Sequence, residues 1–360
     1  MMSPVHPLLP IKGRGAATAM AHRFDPLSRE AFDDGWDPRA DGQVAPPLLT
    51  EVRLEDARSA ITRNDSPDIP FEQSLNPYRG CEHGCVYCFA RPTHSYLGLS
   101  PGLDFESRLI VKRNLVEVLR RELTARSYRP LPVVIGTATD AYQPIEREWQ
   151  LTRRVLQLLS DCAHPLSIVT KGSGVLRDRD LLGPMGRSGL AAVYVTVTTL
   201  DAQLCRQLEP RAAAPHRRLR IIRELADAGI PVGVSVAPQI PFLNDDMEQV
   251  LEAAAEAGAT RAFYTVLRLP WEVAPLFEQW LALHHPQRSA RVMARVREMR
   301  AGRDYDSRFG SRMHGVGVWA DLLRQRFDRA VLRLGLNRDR TPLDTSRFDP
   351  ARLGPQASLF

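Results

Sequence analysis

The sequence predicts an α/β fold, a partial (β/α)6 barrel with an arm in front and a helical extension behind. Three observations predict it. First, short apolar or β-branched runs recur at 71–77, 132–138 (PVVIGTA), 166–170 (LSIVT), 192–199 (AVYVTVTT), 231–237 (PVGVSVA) and 262–267 (AFYTVL). They have the length and composition of buried strands. Second, helical patterns separate them; in 217–228, Ile221, Ile222, Leu225 and Ala228 form one apolar stripe. Third, Gly189, Gly229 and Gly258 each follow a helical pattern and precede a strand. Glycine accepts the left-handed conformation that ends helices. Strands alternating with helices give parallel βα units.

Such units carry functional groups in the loops after the strands. Polar clusters stand at those places: Thr137–Asp140, Thr170–Lys171, Thr196–Thr199, Asn244–Asp245 and Arg268. The expected organisation is an extended, basic and Pro-rich arm at 1–69, the barrel at 70–285, a helical extension at 286–338 and a loose tail at 339–360. The arm is expected to have little core of its own, because it lacks periodic apolar pattern.

Apolar residues make up 44% of the 360 and charged residues 25%, which suits a globular protein. No apolar run approaches the ~20 residues of a membrane span. The first residues lack the charged and apolar regions of a secretory signal, so a cytoplasmic protein is expected. The net charge of +6 permits a polyanionic partner such as nucleic acid. Scattered arginines, with lysine only at 12, 112 and 171, are equally explained by composition bias.

Of five cysteines, Cys81, Cys85 and Cys88 fall within eight residues, in Asn76-Pro-Tyr-Arg-Gly-Cys-Glu-His-Gly-Cys-Val-Tyr-Cys-Phe-Ala-Arg-Pro. An odd number so placed is wrong for a disulfide framework and suits a metal site. Three thiolates at these spacings can wrap three corners of a cubane. Ordinary clusters are closed by four cysteines. Cys162 precedes its strand, on the far face, and Cys205 lies on a later helix, so one iron should stay open. Two alternatives remain: a zinc site completed by His83 or His94, and a plain electron carrier.

A C-x3-C-x-aromatic-C motif after the first strand of a βα alternation resembles the radical S-adenosylmethionine (SAM) superfamily. Within it, the chain looks like the spore photoproduct lyase group, also labelled DNA-repair photolyase-like. The similarity covers roughly 70–335, through NPYRGCEHGCVYCFARPTH, LGLSPGLDFE, TDAYQPIER, VTKG, TTLD, LEPRA, PQIPFLND, LRLP and RMHGVG. The arm's KGRGA and His22-Arg23-Phe24 also resemble some relatives. The resemblance implies a partial TIM barrel of the radical SAM type. It also implies a [4Fe-4S] cluster on Cys81, Cys85 and Cys88 whose open iron chelates SAM. A flavodoxin- or ferredoxin-like electron donor is then needed, and reductive cleavage yields a 5′-deoxyadenosyl radical.

The same resemblance assigns the pocket. Tyr87 packs by the cluster and adenine. Thr139 and Asp140 meet the SAM ammonium, with a turn-capping Asp as the alternative. Lys171 takes the methionyl carboxylate, where a compact point charge serves better than an arginine fork. Thr196 and Thr198 share one strand face, and one of them bonds a ribose hydroxyl. Ala237 lies against adenine. Arg268, between apolar residues at a strand end, points at a carboxylate or a bound anion.

Tyr142, Glu146, Glu209 and Arg211 are expected in the strand-end loops, with Glu209 and Arg211 as a local surface pair. Lys112 is either a phosphate contact or structural. Spore photoproduct lyase carries a hydrogen-donating cysteine near the end of the second strand. Here Thr137 stands there, so repair of the spore lesion by the same route is not expected, and Tyr142 is the conjectural donor. The expected function is radical SAM chemistry on an unidentified substrate, with nucleic acid as the leading candidate. The rival is an iron–sulfur or zinc-stabilised nucleic-acid-binding protein without SAM chemistry. The oligomeric state is not legible.

Overall fold

A computed structural model describes residues 9–25, 48–339 and 341–354. Ten strands occur among them: β1 Glu51–Glu55, β2 Ile61–Arg63, β3 Gln73–Leu75, β4 Tyr78–Arg79, β5 Arg108–Lys112, β6 Val133–Ile135, β7 Leu166–Thr170, β8 Ala191–Thr196, β9 Val232–Gln239 and β10 Arg261–Val266. Six of them, β3 and β6 to β10, pair in parallel in that order. Short β2 adds antiparallel to the outer edge of β3. The edges β10 and β2 do not pair with each other, so the barrel is partial.

All six strands expected from the apolar runs are present. The first is shorter than expected: 71–77 is broken after Leu75. Pro77 has no N–H to give a ladder, and the chain turns there into β4. Gly189, Gly229 and Gly258 adopt φ of 72°, 75° and 103°, the left-handed endings foreseen for them.

Side chains alternate across the strands. In β8, Val193 and Val195 are fully buried in the core between sheet and helices, whereas Tyr194 and Thr196 face the barrel interior. β7 and β9 repeat the pattern, with Val169 and Ser235 turned inward. The outer layer is the helical face: Ile221, Ile222 and Leu225 of the helix Pro215–Asp227 are all buried in the same core.

The arm and tail depart from expectation. Within 1–69, β1 pairs in parallel with β5, and β4 pairs with β5 from its other side, making a small second sheet beside the cysteine loop. The reason is backbone hydrogen bonding: the side chains of β1 stay mostly exposed, so apolar periodicity could not reveal it. The part of the arm at 26–47 lies outside the described residues. The tail also packs. Leu353 is buried, and the Phe348 ring lies 5.0 Å from His164 and 5.5 Å from Tyr128. Behind the barrel, helices Ser289–Glu298, Ser311–His314 and Val318–Leu334 lie between 286 and 338, and the last of these packs on β10 through Tyr264 and Phe327. Among the described residues, no helix is long and apolar enough to cross a membrane.

His164 is fully buried, with Tyr128 Oη 2.7 Å from its Nε2 and its Nδ1 donating to the Pro165 carbonyl at 2.9 Å. Burial pulls its pKa down to about 4. An unfolded histidine titrates near ~6.5, so the unfolded chain takes the proton first, and stability is lost as pH falls through the window between the two values. In urea titrations at stepped pH, His164→Gln is expected to flatten that acid slope. An unchanged slope would assign it to other groups.

Candidate active site

The strand ends and the cysteine loop enclose a cavity of about 1240 Å³. Cys81, Cys85 and Cys88 sit on one wall of it, with Tyr87, Thr139, Asp140, Lys171, Thr196, Ala237 and Arg268 around the rest. The fold therefore brings together the three cysteines and every residue expected in the SAM pocket except Thr198.

The loop is held at each turn by buried polar groups. Arg91, fully buried, donates from Nε to the Cys85 carbonyl at 2.9 Å and from Nη2 to Gly84 O at 3.2 Å. Its Nη1 serves Pro101 O at 3.1 Å and Gly102 O at 2.9 Å, and Nη2 also pairs with the fully buried Glu106. Gln143 pins the loop from the other side, taking the Glu82 amide at 2.9 Å and giving to Gly80 O at 3.1 Å. The arm closes over the top: Gly15 and Ala16 donate backbone N–H to Glu106, each at 2.9 Å. A Cβ on Gly15 would stand 1.9 Å from Gly84 O, so only glycine fits there.

The loop offers three thiols to the cavity. None of its three thiols donates a hydrogen bond among the described residues, whereas Cys162 Sγ gives to Leu158 O at 3.3 Å and Cys205 Sγ to Glu209 at 3.6 Å. Neither of those two cysteines lines the cavity. Among the described residues, no three His, Cys, Asp or Glu side chains converge as ligands of one metal ion, which a mononuclear zinc site requires. A cubane spreads its thiolates over separate irons. His94 is turned away, its Nε2 on Arg108 O at 3.0 Å, and His83 turns Nδ1 to Asp140 at 3.2 Å. Burial pushes the Cys85 thiol up to about 12, the state of a metal-free thiol. Iron ligation would have to offset that by stabilising the thiolate.

Asp140 differs from its expected role. Oδ1 accepts from the Tyr142 amide at 2.9 Å and Thr170 Oγ1 at 2.7 Å, and Oδ2 from the Lys171 amide at 2.7 Å and from His83. A carboxylate has about four acceptor positions, and these are spent. Burial opposes its ionisation, but His83, the Lys171 amide and Thr170 outweigh burial, and the group stays well below the ordinary carboxylate range. The Asp thus joins the loop after β6 to the end of β7, which is the turn-capping alternative extended across two strands.

Thr198 is likewise spent. It donates to Glu209 at 2.5 Å and lies 3.4 Å from Tyr87 Oη. Glu209 does not pair with Arg211. It is buried against Arg218 and accepts from Tyr87, while Arg211 pairs instead with the buried Glu82 at 3.1 Å. Burial would raise the Glu209 carboxyl, yet Arg218 and Lys171 bring it down to about 2. Tyr142 and Glu146 also miss the cavity. Tyr142 Oη donates to Asp178 at 3.0 Å, which removes it as a hydrogen donor to anything inside, and Glu146 bonds Tyr78, Arg177 and the Thr152 amide. Thr137 does line the cavity, 3.2 Å from Asn76 Nδ2. Lys112 is structural: burial lowers it to about 8, and Nζ donates to Asn76 O at 2.9 Å.

Lys171 and Arg268 remain. Lys171 Nζ has no hydrogen-bond partner among the described residues and lies 5.9 Å from the Tyr87 ring. Burial alone would lower its pKa, but Cys85 and Glu209 hold it above the ordinary lysine value.

The family profile described as Radical SAM superfamily matches residues 75–254. This chain belongs to the radical SAM superfamily. Members of that superfamily are enzymes, and membership implies SAM and an iron–sulfur cluster. An uncharacterised protein of Mycobacterium tuberculosis is 35% identical over 326 residues, covering 90% of each chain. An uncharacterised protein of Methanocaldococcus jannaschii is 28% identical over 214 residues, covering 59% of this chain and 76% of that one. Among solved structures, a spore photoproduct lyase aligns with a TM-score of 0.54 at 18% identity, over 79% of this chain and 80% of that chain. That likeness concerns the fold, and it agrees with the partial barrel of this radical SAM protein.

The residues missed in the sequence are the supports: Arg91, Glu106 and Gln143. Their signal was present, as charged or amide residues inside the motif pieces that carried the resemblance. Removing the Glu106 carboxylate leaves Arg91 buried and uncompensated, which costs roughly 3–5 kcal/mol. Glu106→Ala is therefore expected to lower urea stability by that order and to speed tryptic cleavage at Arg14. A loss under about 1 kcal/mol, the range of an exposed pair, would show that the pair does not hold the loop.

Proposed function

We propose that this chain reductively cleaves SAM at a [4Fe-4S] cluster held by Cys81, Cys85 and Cys88, and that the 5′-deoxyadenosyl radical acts on a substrate in the same cavity. The observation that carries the reading is the presence of Cys81, Cys85 and Cys88 together in the lining of the cavity, with neither Cys162 nor Cys205 there. The cluster, when bound, supplies the electron and the open iron that chelates SAM; an electron-donor protein must reduce it.

The chain's own residues bind and orient. Lys171 is the cation for the methionyl carboxylate, since it lines the cavity and its ammonium has no hydrogen-bond partner among the described residues. Asp140 is a positioning residue: it grips the Lys171 amide at 2.7 Å and leaves Thr139 Oγ1 as the side-chain acceptor toward the ammonium. Thr196, on the inner face of β8, is placed for a ribose hydroxyl, and Ala237 and Tyr87 bound the adenine. Glu209 and Thr198 lock the Tyr87 hydroxyl, which keeps that ring beside the loop.

Anaerobic reconstitution is expected to load about four irons per chain on this cluster type and to release 5′-deoxyadenosine when reductant and SAM are added. Cys85→Ala is expected to lose both the iron-based colour and SAM cleavage. Cleavage retained by that variant would end the cluster assignment. Lys171→Ala is expected to keep its iron content and to weaken SAM binding by roughly tenfold or more, the scale of one charge-assisted contact. Equal SAM affinity in calorimetry would move the carboxylate elsewhere.

A further inference from the structure

We propose that the tip of the hairpin between β2 and β3, residues 64–72, is a flap across the open seam of the barrel, and that the ion pair of Asp68 with Arg312 is the clasp that holds it shut. On the reading of the cavity as the SAM site, the flap sets how that site is reached.

The barrel is left open between its edge strands, β2 and β10. The strands wall the cavity and the cysteine loop stands at their ends, so the seam is the way in. The hairpin tip follows β2, and Asn64, Ser66, Asp68, Ile69, Pro70 and Phe71 line the cavity. From the β10 side the short helix Ser311–His314 lines it too, through Arg312, Met313 and His314. Arg312 meets Asp68 across the seam: Nε gives to Oδ2 at 2.8 Å and Nη2 to Oδ1 at 2.6 Å. The Gly310 amide adds a bond to Asp68 Oδ2 at 3.2 Å. Hydrogen bonding from Arg312 holds the Asp68 carboxyl below the ordinary carboxylate range, as a made ion pair requires.

The two sides of the seam are held differently. The receiving side is fixed. Arg300, fully buried, gives to the carbonyls of Ser311 and Arg312, both at 2.9 Å, and to that of Leu267, just after β10, at 2.7 Å. Arg268 reaches Met313 Sδ at 3.4 Å and Tyr305 Oη at 3.2 Å. The flap has no such anchors. No residue from Ile61 to Glu72 is buried. Its base is closed by the pairing of β2 with β3 and by the Asn64 amide on Glu72 O at 2.8 Å. Beyond that base, among the described residues, Asp68 makes the only hydrogen bonds from 65–71 to another part of the chain. A segment with few buried contacts and one external tie opens locally at small cost, and such loops gate enzyme cavities. Pro67 and Pro70 fix φ at two positions, so the tip moves as a piece about its base.

The test uses anaerobically reconstituted protein with its cluster oxidised, so that SAM binds without turning over. Rapid filtration with tritiated SAM gives its association and dissociation rates, and amide hydrogen exchange read by mass spectrometry follows the peptide 64–72. A clasp acts on passage and not on contact with the ligand. Asp68→Asn is therefore expected to raise both rates by roughly tenfold, the scale of one charge-assisted contact, with the dissociation constant unchanged and exchange in 64–72 quickened. Arg312→Lys is expected to fall between it and the wild type, because the charge stays and the fork goes. The double variant Asp68→Asn/Arg312→Gln is expected to match Asp68→Asn, because both substitutions remove the same contact. Asp65→Asn, on an exposed acid of the same tip outside the cavity lining, is expected to match the wild type. Iron content is expected to be unchanged in all four. A changed dissociation constant at unchanged rates would make Asp68 a ligand contact and overturn the clasp. Rates in Asp68→Asn equal to those of Asp65→Asn would overturn it too, whatever the exchange shows. If the wild type binds no SAM, the proposed function fails and exchange alone decides: quickening in Asp68→Asn but not in Asp65→Asn upholds the clasp, and equal exchange overturns it.

Discussion

The site depends on one buried ion pair, Arg91 with Glu106. A guanidinium has five N–H donors and no acceptor. Taken out of water it must find five acceptors or lose more than the pair returns. Arg91 finds them in four backbone carbonyls and one carboxylate. Two of those carbonyls belong to Gly84 and Cys85, inside the cysteine loop. The loop is thus shaped by a rigid fork rather than by packing alone, which suits a segment with few apolar side chains of its own. Glu106 also accepts from the arm, at Oε2 from the Gly15 amide and at Oε1 from that of Ala16, so the pair also sews residues 15 and 16 onto the loop.

The same economy of charge runs round the cavity. Asp140 and Glu209 are both buried and ionised, yet neither is free for a ligand. Asp140 is filled by two backbone amides, a hydroxyl and an imidazole. Glu209 is filled by Arg218, Tyr87 and Thr198. Their work is to set other groups: Asp140 the end of β7 that carries Lys171, Glu209 the ring of Tyr87. The cations face the opposite way. Among the described residues, Lys171 and Arg268 line the cavity with no carboxylate bonded to either. Beside the cysteine loop, where Asp140 is saturated and the Lys171 ammonium is not, the cavity presents positive potential to what enters it.

Much of the architecture was legible beforehand, because its signals are local. A parallel strand buried on both faces must be a short apolar run, and a left-handed helix end is best met by glycine. Three cysteines within one turn-rich loop leave few chemical readings. The arm and the tail were not legible in this way. β1 is held by backbone bonds to β5 and exposes its side chains, so it carries no apolar period. Phe348 and Leu353 are single anchors in a stretch without pattern.

By itself, the sequence determined the partial βα barrel, the cysteine loop and which strand ends carry polar groups, since each follows from neighbours in the chain. Only the tertiary structure decided which of those polar groups are spent and which are free. Tyr87 and Glu209 meet across 122 positions, and Gly15 and Glu106 across 91. Whether a buried carboxylate serves a ligand or a neighbouring strand depends on what the fold brings beside it, and hydrogen-bond partners at that separation are chosen by the packing of the whole barrel.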